Sequence, residues 1–213
     1  MQLTVLGATG PTGQQVLQQA LAAGHHVTAL VRDPARLPQR EDARVTVVTG
    51  DAASAADVEK AARGSRALLS ALGPGKDFKS TLATRTAGPV LEAMAATGVR
   101  RLVWLSALGA GTTAQRQSRL QAGASKLLMG RLMADKGTAD DRIARSDLDW
   151  TLALPVMLGN GPRSGAGGYK GLPLDSTTGR VGGRINRADV ADFMLTAATT
   201  EQWNRQRVIL TSH

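Results

Sequence analysis

Short apolar runs punctuate the chain at residues 3–6, 27–31, 45–48, 67–69, 102–105, 150–154 and 208–210. Runs with so little polar alternation predict strands buried on both faces, as in a parallel sheet. Between them, apolar residues recur at helical spacing near residues 12–23, 54–63, 80–97, 123–146 and 187–199. This alternation predicts an α/β fold, a doubly wound parallel sheet with helices on both faces. Gly24 and Gly98 stand where two helices should stop, and Asn186 followed by Asp189 stands where the last should start. No linker or repeat divides the chain, so residues 1–213 read as a single domain. Two stretches break the rhythm. Residues 107–122 read as a loop after the fifth strand, and the glycine-rich residues 159–174 as a loop after the sixth. Both should emerge at the carboxyl edge of the sheet, where ligands bind. The second reads equally as a substrate lid and as a surface excursion.

The turn after the first strand carries the sharpest signal, Gly7-Ala8-Thr9-Gly10-Pro11-Thr12-Gly13. Lacking Cβ atoms, Gly7 suits a sharp turn, Gly10 the approach of a phosphate to the backbone, and Gly13 close packing of the new helix. Thr9, Pro11 and Thr12 complete the cradle at the positive end of that helix. A GxxGxxG triplet alone would equally make a tight turn. Its place between a strand and a helix favours dinucleotide binding in a Rossmann-type fold.

Composition narrows the alternatives. No apolar run is long enough to span a bilayer, and the first strand lacks the basic flank of a signal peptide, so a cytoplasmic protein without membrane association is expected. The absence of cysteine excludes disulfides and thiolate chemistry, and with only His25, His26 and His213 no metal site is expected. A formal charge of +9 invites a nucleic-acid reading. The cations are scattered, however, and aromatics make up only 3% of the chain, so an arginine-rich solvated surface is favoured over direct nucleic-acid binding.

The end of the second strand bears on which nucleotide binds. Dinucleotide folds selective for NAD usually place a carboxylate there, whereas this chain has Arg32, with Arg36 close behind. Guanidinium groups suit the 2′-phosphate of NADP(H), the expected cofactor. Asp33 is the competing residue for a ribose hydroxyl. After the third strand, Asp51, with Ala52 beside it, reads either as an acceptor for the adenine amino group or as a helix N-cap. After the fourth, Leu72 and Gly73 either let the cofactor lie close or simply make a turn.

Taken with Val31-Arg32-Asp33-Pro34-Ala35-Arg36-Leu37, Val48-Thr49-Gly50-Asp51, Leu105-Ser106-Ala107, Leu148-Asp149-Trp150-Thr151, Leu154-Pro155 and Arg187-Ala188-Asp189-Val190-Ala191-Asp192-Phe193, the glycine turn resembles that of the atypical short-chain dehydrogenase/reductase group. The resemblance is to its NmrA-like NAD(P)-binding members, which include biliverdin-IXβ/flavin reductase, and it runs nearly end to end. It implies an NADPH-dependent oxidoreductase passing hydride to a small, flat, electron-poor acceptor such as a flavin, quinone or tetrapyrrole. A non-catalytic NADP(H) sensor is the alternative within the same family; relatives occur as monomers and as larger assemblies, and a monomer or small homo-oligomer is expected here.

The resemblance also implies roles for single residues. Leu105 and Ser106 would lie beside the nicotinamide, while Pro155, Val156 and Met157 would edge its pocket. Met157 stands where flavin/biliverdin reductases carry a histidine. Lys136 falls where several relatives carry an active-site lysine, against the competing reading of a solvated helix residue. The Tyr-x-x-x-Lys pair of ordinary members is missing at the sole tyrosine, since Tyr169 is followed by Pro173 at the lysine position. Ordinary alcohol dehydrogenation is therefore disfavoured.

Overall fold

The computed structural model describes residues 1–116, 119–165 and 167–212, and for 119–128 the helix backbone alone. Its first half runs β1 (Gln2–Leu6), α1 (Pro11–Ala22), β2 (His26–Val31), β3 (Val45–Thr49), α2 (Ala55–Ala62), β4 (Ala67–Ser70), α3 (Leu82–Thr97) and β5 (Arg101–Leu105). The second half runs α4 (Arg119–Ala144), β6 (Asp149–Pro155), β7 (Met157–Gly159), β8 (Tyr169–Pro173), β9 (Arg184–Asn186), α5 (Arg187–Thr199) and β10 (Gln206–Ser212).

The main sheet has the order β3-β2-β1-β4-β5-β6-β10-β8. Its neighbours pair in parallel except β8, which runs antiparallel to β10. Helix α1 packs with α5, while α3 packs with α2 and α4, giving a helical layer on each face. Leu3, Val5, Leu68, Leu69, Leu102, Val103, Leu152 and Leu154 are wholly buried between these layers, which is why their strands read as continuous apolar runs. Helices α1 and α3 stop at Gly24 and Gly98 as expected.

Arg101 is a buried cation in this core. Its guanidinium donates to the carbonyl oxygens of Ala197, Leu102 and Asp149 and to Thr151 Oγ1, tying β5 and β6 to the last turn of α5. Burial lowers its pKa to about 10.

Three expectations are corrected. Residues 159–174 are not one loop, since Gly159 ends β7, which pairs with β9, and Tyr169–Pro173 form the antiparallel edge strand; Ala166 lies outside the described residues. Residues 107–122 contain a 3-10 turn at Gly111–Arg116, closed by Thr113 Oγ1, which accepts from Gly109 N–H at 2.8 Å and donates to Ala110 O at 2.7 Å. Helix α4 begins at Arg119, and residues 117 and 118 of the expected loop lie outside the described residues. Finally, neither Asn186 nor Asp189 makes the expected cap. The Asn186 side chain accepts from Gly161 N–H and donates to Pro162 O, both at 3.1 Å, and buried Asp189 accepts from the N–H and hydroxyl of Ser164 at 2.7 and 2.8 Å. These side chains serve the preceding loop instead of the helix end.

Candidate functional site

The strand order reverses between β1 and β4, and the turn leaving β1 lies at the carboxyl edge of that junction. Gly7 has φ +79°, and a Cβ on it would lie 2.9 Å from the Ala71 carbonyl carbon and oxygen. A Cβ on Gly13 would lie 2.0 Å from Gly7 O, so the helix start packs directly on the turn. Gly10 is less constrained, since its Cβ would meet only Gly7 O, at 3.3 Å. Gly10 N–H donates to Gly7 O and Gln14 N–H donates to Gly10 O, both at 2.9 Å. Pro11 occupies the first turn, where its missing N–H costs nothing. Thr12 is buried and Thr9 half-buried. The first turn of α1 has no acidic residue and no side-chain cap, so its free N–H groups and the positive helix end are left for an anion. A dinucleotide pyrophosphate fits this cradle.

At the next strand ends, Asp33 Oδ1 accepts from Ala35 N–H at 3.0 Å and caps the 3-10 turn Pro34–Arg36. Arg32 and Arg36 are exposed, and neither is ion-paired among the described residues. Asp51 does not cap α2. That role belongs to Ser54, while Asp51 Oδ1 accepts from Ala53 N–H at 2.9 Å, with Ala52 half-buried inside that turn. Leu72 is half-buried, and Gly73 is exposed with open space where a Cβ would stand.

The end of β5 holds a buried polar cluster. Ser106, 4% exposed, donates from Oγ to Asp140 Oδ2 at 2.5 Å, and its N–H donates to Ala153 O at 2.9 Å. Asp140 lies one turn beyond Lys136 on the same face of α4. Lys136 is not a solvated helix residue. It is buried, and its Nζ donates to Leu105 O at 3.4 Å. Burial pushes the Lys136 pKa down against the opposing charges of Asp140 and Asp135. Burial likewise pushes Asp140 up to about 6, against the Ser106 hydrogen bond and the charges of Lys136 and Arg207. Asp135 accepts from the N–H groups of Ala83 and Thr84, at 2.9 and 3.1 Å, and so satisfies the start of α3.

Leu72, Gly73, Leu105, Leu132, Asp135 and Lys136 line one cavity, which joins the ends of β4 and β5 to α4. One turn before Lys136 stands Leu132, which lines the same cavity. Tyr169 lies on the edge strand and donates to Asp192 Oδ2 at 3.0 Å, with burial and that carboxylate raising its pKa. Sequence reasoning missed Asp140. Its four-residue spacing from Lys136 was the available signal.

Beyond β6, Pro155 O accepts from Leu108 N–H and Val156 N–H donates to Leu210 O, both at 3.0 Å. Val156 is buried, whereas Met157 is 52% exposed at the start of β7. The structure thus gathers the glycine turn, Arg32, Asp51, Leu72, Ser106 and Val156 at carboxyl ends along one edge of the sheet. Among the described residues there is no cluster of three or more His, Cys, Asp or Glu able to hold a metal ion. No described helix is long and apolar enough to cross a membrane.

Residues 7–201 match the family model described as NAD(P)H-binding. An uncharacterized chloroplastic protein of Arabidopsis thaliana is 28% identical over 206 residues, covering 93% of this chain and 72% of the relative. Among solved structures, the anaerobillin reductase ChuY from Escherichia coli O157:H7 superposes with a TM-score of 0.82 at 23% identity, covering 100% of this chain and 97% of its own. A wide-type short-chain dehydrogenase/reductase from Veillonella parvula, solved in complex with NADP, gives a TM-score of 0.78 at 20% identity, with coverage of 99% and 94%.

Proposed function

We propose, from the premise that this chain belongs to the NAD(P)H-binding family, that it is an NADPH-dependent reductase passing hydride to a flat, electron-poor acceptor such as a flavin, quinone or tetrapyrrole. The observation that carries this reading is the buried Ser106–Asp140–Lys136 cluster on the same sheet edge as the glycine turn. Buried ionisable groups in a cleft are costly to fold around, and they concentrate at functional sites. The reductase name of the Escherichia coli neighbour and the NADP in the Veillonella neighbour support the class of reaction and the cofactor.

In this reading Gly7, Gly10 and the N–H groups at the start of α1 hold the pyrophosphate, with Thr9, Pro11, Thr12 and Gly13 shaping the cradle. Arg32 and Arg36 take the 2′-phosphate, and Asp51 with Ala52 borders the adenine. Leu72 and Gly73 leave room for the dinucleotide backbone. Reduced nicotinamide, when bound, supplies hydride. Leu105 and Ser106 orient the reacting rings, Lys136 fixes the end of β5 through the Leu105 carbonyl, and Pro155, Val156 and Met157 form an apolar wall that excludes water. The missing Tyr-x-x-x-Lys pair, with Pro173 four residues after the sole tyrosine Tyr169, favours acceptors that take hydride directly over simple ketones.

The test is NADPH oxidation across FMN, FAD and quinones of graded size. Saturable turnover with at least one of these, and none with simple ketones, is expected. Tight NADP(H) binding without turnover across the panel would instead establish a nucleotide sensor.

A further inference from the structure

We propose that Asp140 is a proton reservoir behind Ser106, delivering a proton through Ser106 Oγ to the acceptor bound at the end of β5. This rests on the reductase reading and supplies the proton donor that the reading leaves open.

Asp140 Oδ2 lies 2.5 Å from Ser106 Oγ, while Asp140 Oδ1 is buried with no hydrogen-bond partner among the described residues. A buried carboxylate with one oxygen unpaired is costly, and a neutral carboxylic acid removes the charge that makes it so. Among the described residues no cation forms an ion pair with it. Lys136 directs Nζ to Leu105 O, and Arg207, reaching over from β10, pairs with Asp141 at 3.0 Å. Asp141 adds a like charge on α4, and Asp135 faces Lys136 while bound to the start of α3. Burial is the largest influence and holds Asp140 protonated up to about pH 6. In that state its O–H donates to Ser106 Oγ, which frees the serine hydroxyl to donate toward the site.

The step balances. The acceptor takes two electrons and one hydrogen as hydride from the reduced dinucleotide, and its second hydrogen as the proton of Ser106 Oγ–H. That O–H bond breaks as the Asp140 proton moves onto Ser106 Oγ. Asp140 is left as a carboxylate, which regains a proton from water after product leaves. An acceptor that gains hydride alone makes no use of the relay.

The sign of the pH dependence follows. A donor that must be protonated gives kcat/KM that is flat at low pH and falls as pH rises through the pKa, near 6 in the free enzyme. Stability moves the same way. Because the folded-state pKa lies above the ordinary 3.8, the Asp140 contribution is fully present below 3.8 and is lost as pH rises through about 6.

The experiment compares wild type, Asp140→Asn and Ser106→Ala with a quinone, which needs a proton, and with N-methylphenazinium, a cation that accepts hydride alone, after subtraction of uncatalysed rates. The quinone-to-phenazinium ratio of kcat/KM should fall at least about tenfold in both variants, and the limb near pH 6 should vanish from their quinone profiles. Independently of turnover, the melting temperature of wild type relative to Asp140→Asn should fall between pH 3.8 and about 6. An unchanged ratio with the limb retained overturns the relay and leaves the reductase reading intact, as does a melting difference that ignores pH. Binding of NADPH without turnover by the wild type overturns both.

Discussion

Gly13→Val is expected to abolish measurable NADPH binding and to lower the melting temperature. The cause is backbone crowding, since even a single Cβ at this position would stand 2.0 Å from Gly7 O, 2.6 Å from the Gly7 carbonyl carbon and 2.9 Å from Ala8 Cα. No rotamer relieves that overlap, so the start of α1 must move off the turn. Overpacking of this kind costs about 1–3 kcal/mol or more, and misplacing the helix N-terminus by an ångström removes the anion site as a unit. Fluorescence titration with NADPH and a thermal melt read the two effects. Gly10→Ala separates them, because an added methyl there meets only Gly7 O, at 3.3 Å. The Gly7 carbonyl need give only a few tenths of an ångström, so Gly10→Ala should melt well above Gly13→Val yet bind NADPH at least about tenfold more weakly than wild type, since the methyl would occupy the phosphate's path. Undiminished affinity in Gly10→Ala would show that no phosphate approaches that atom, and the cradle would lose its central contact.

The inner strands of the parallel sheet were legible because burial on both faces leaves them apolar runs, as at Leu68–Leu69 and Leu102–Val103. Strands β7, β8 and β9 lacked that signature. They are short, carry Gly159, Gly171 and Pro173, and lie at the edge or in a separate pair, where polar and turn-forming residues are tolerated. Gly171 sits close against Val208, Phe193 and Trp203, a tertiary constraint that a local window cannot show. The glycine turn was readable because backbone geometry demands Gly7 and Gly13 specifically. Lys136 and Asp140 were harder to read, since charged residues four apart on a helix are usually solvated. Their burial depends on how α4 meets the end of β5, information spread over distant residues. Asn186 and Asp189 had the spelling of a helix start, but long-range partners at Gly161, Pro162 and Ser164 outcompeted the local bonds.

Arg32→Ala should weaken NADPH binding roughly 10- to 100-fold, the loss of a charge-assisted contact of about 1.5–3 kcal/mol, while changing NADH binding less than about twofold. The asymmetry follows from what surrounds the end of β2. Asp33, the residue that could serve a ribose hydroxyl, already accepts from Ala35 N–H at 3.0 Å and caps the following turn. Arg32 and Arg36 extend from the same short segment, exposed and not ion-paired among the described residues. A 2′-phosphate there gains two guanidinium partners without breaking an existing ion pair, so their charge is available to binding in full. Because both side chains are solvated, the preference for NADPH should shrink as salt is raised. Arg32→Ala with Arg36→Ala should reduce it further, toward equal affinities. Isothermal titration of both nucleotides at low and moderate salt measures each arm. Equal losses for NADPH and NADH in Arg32→Ala would place the arginine on a feature common to both, the ribose or the adenine, and would overturn the 2′-phosphate assignment.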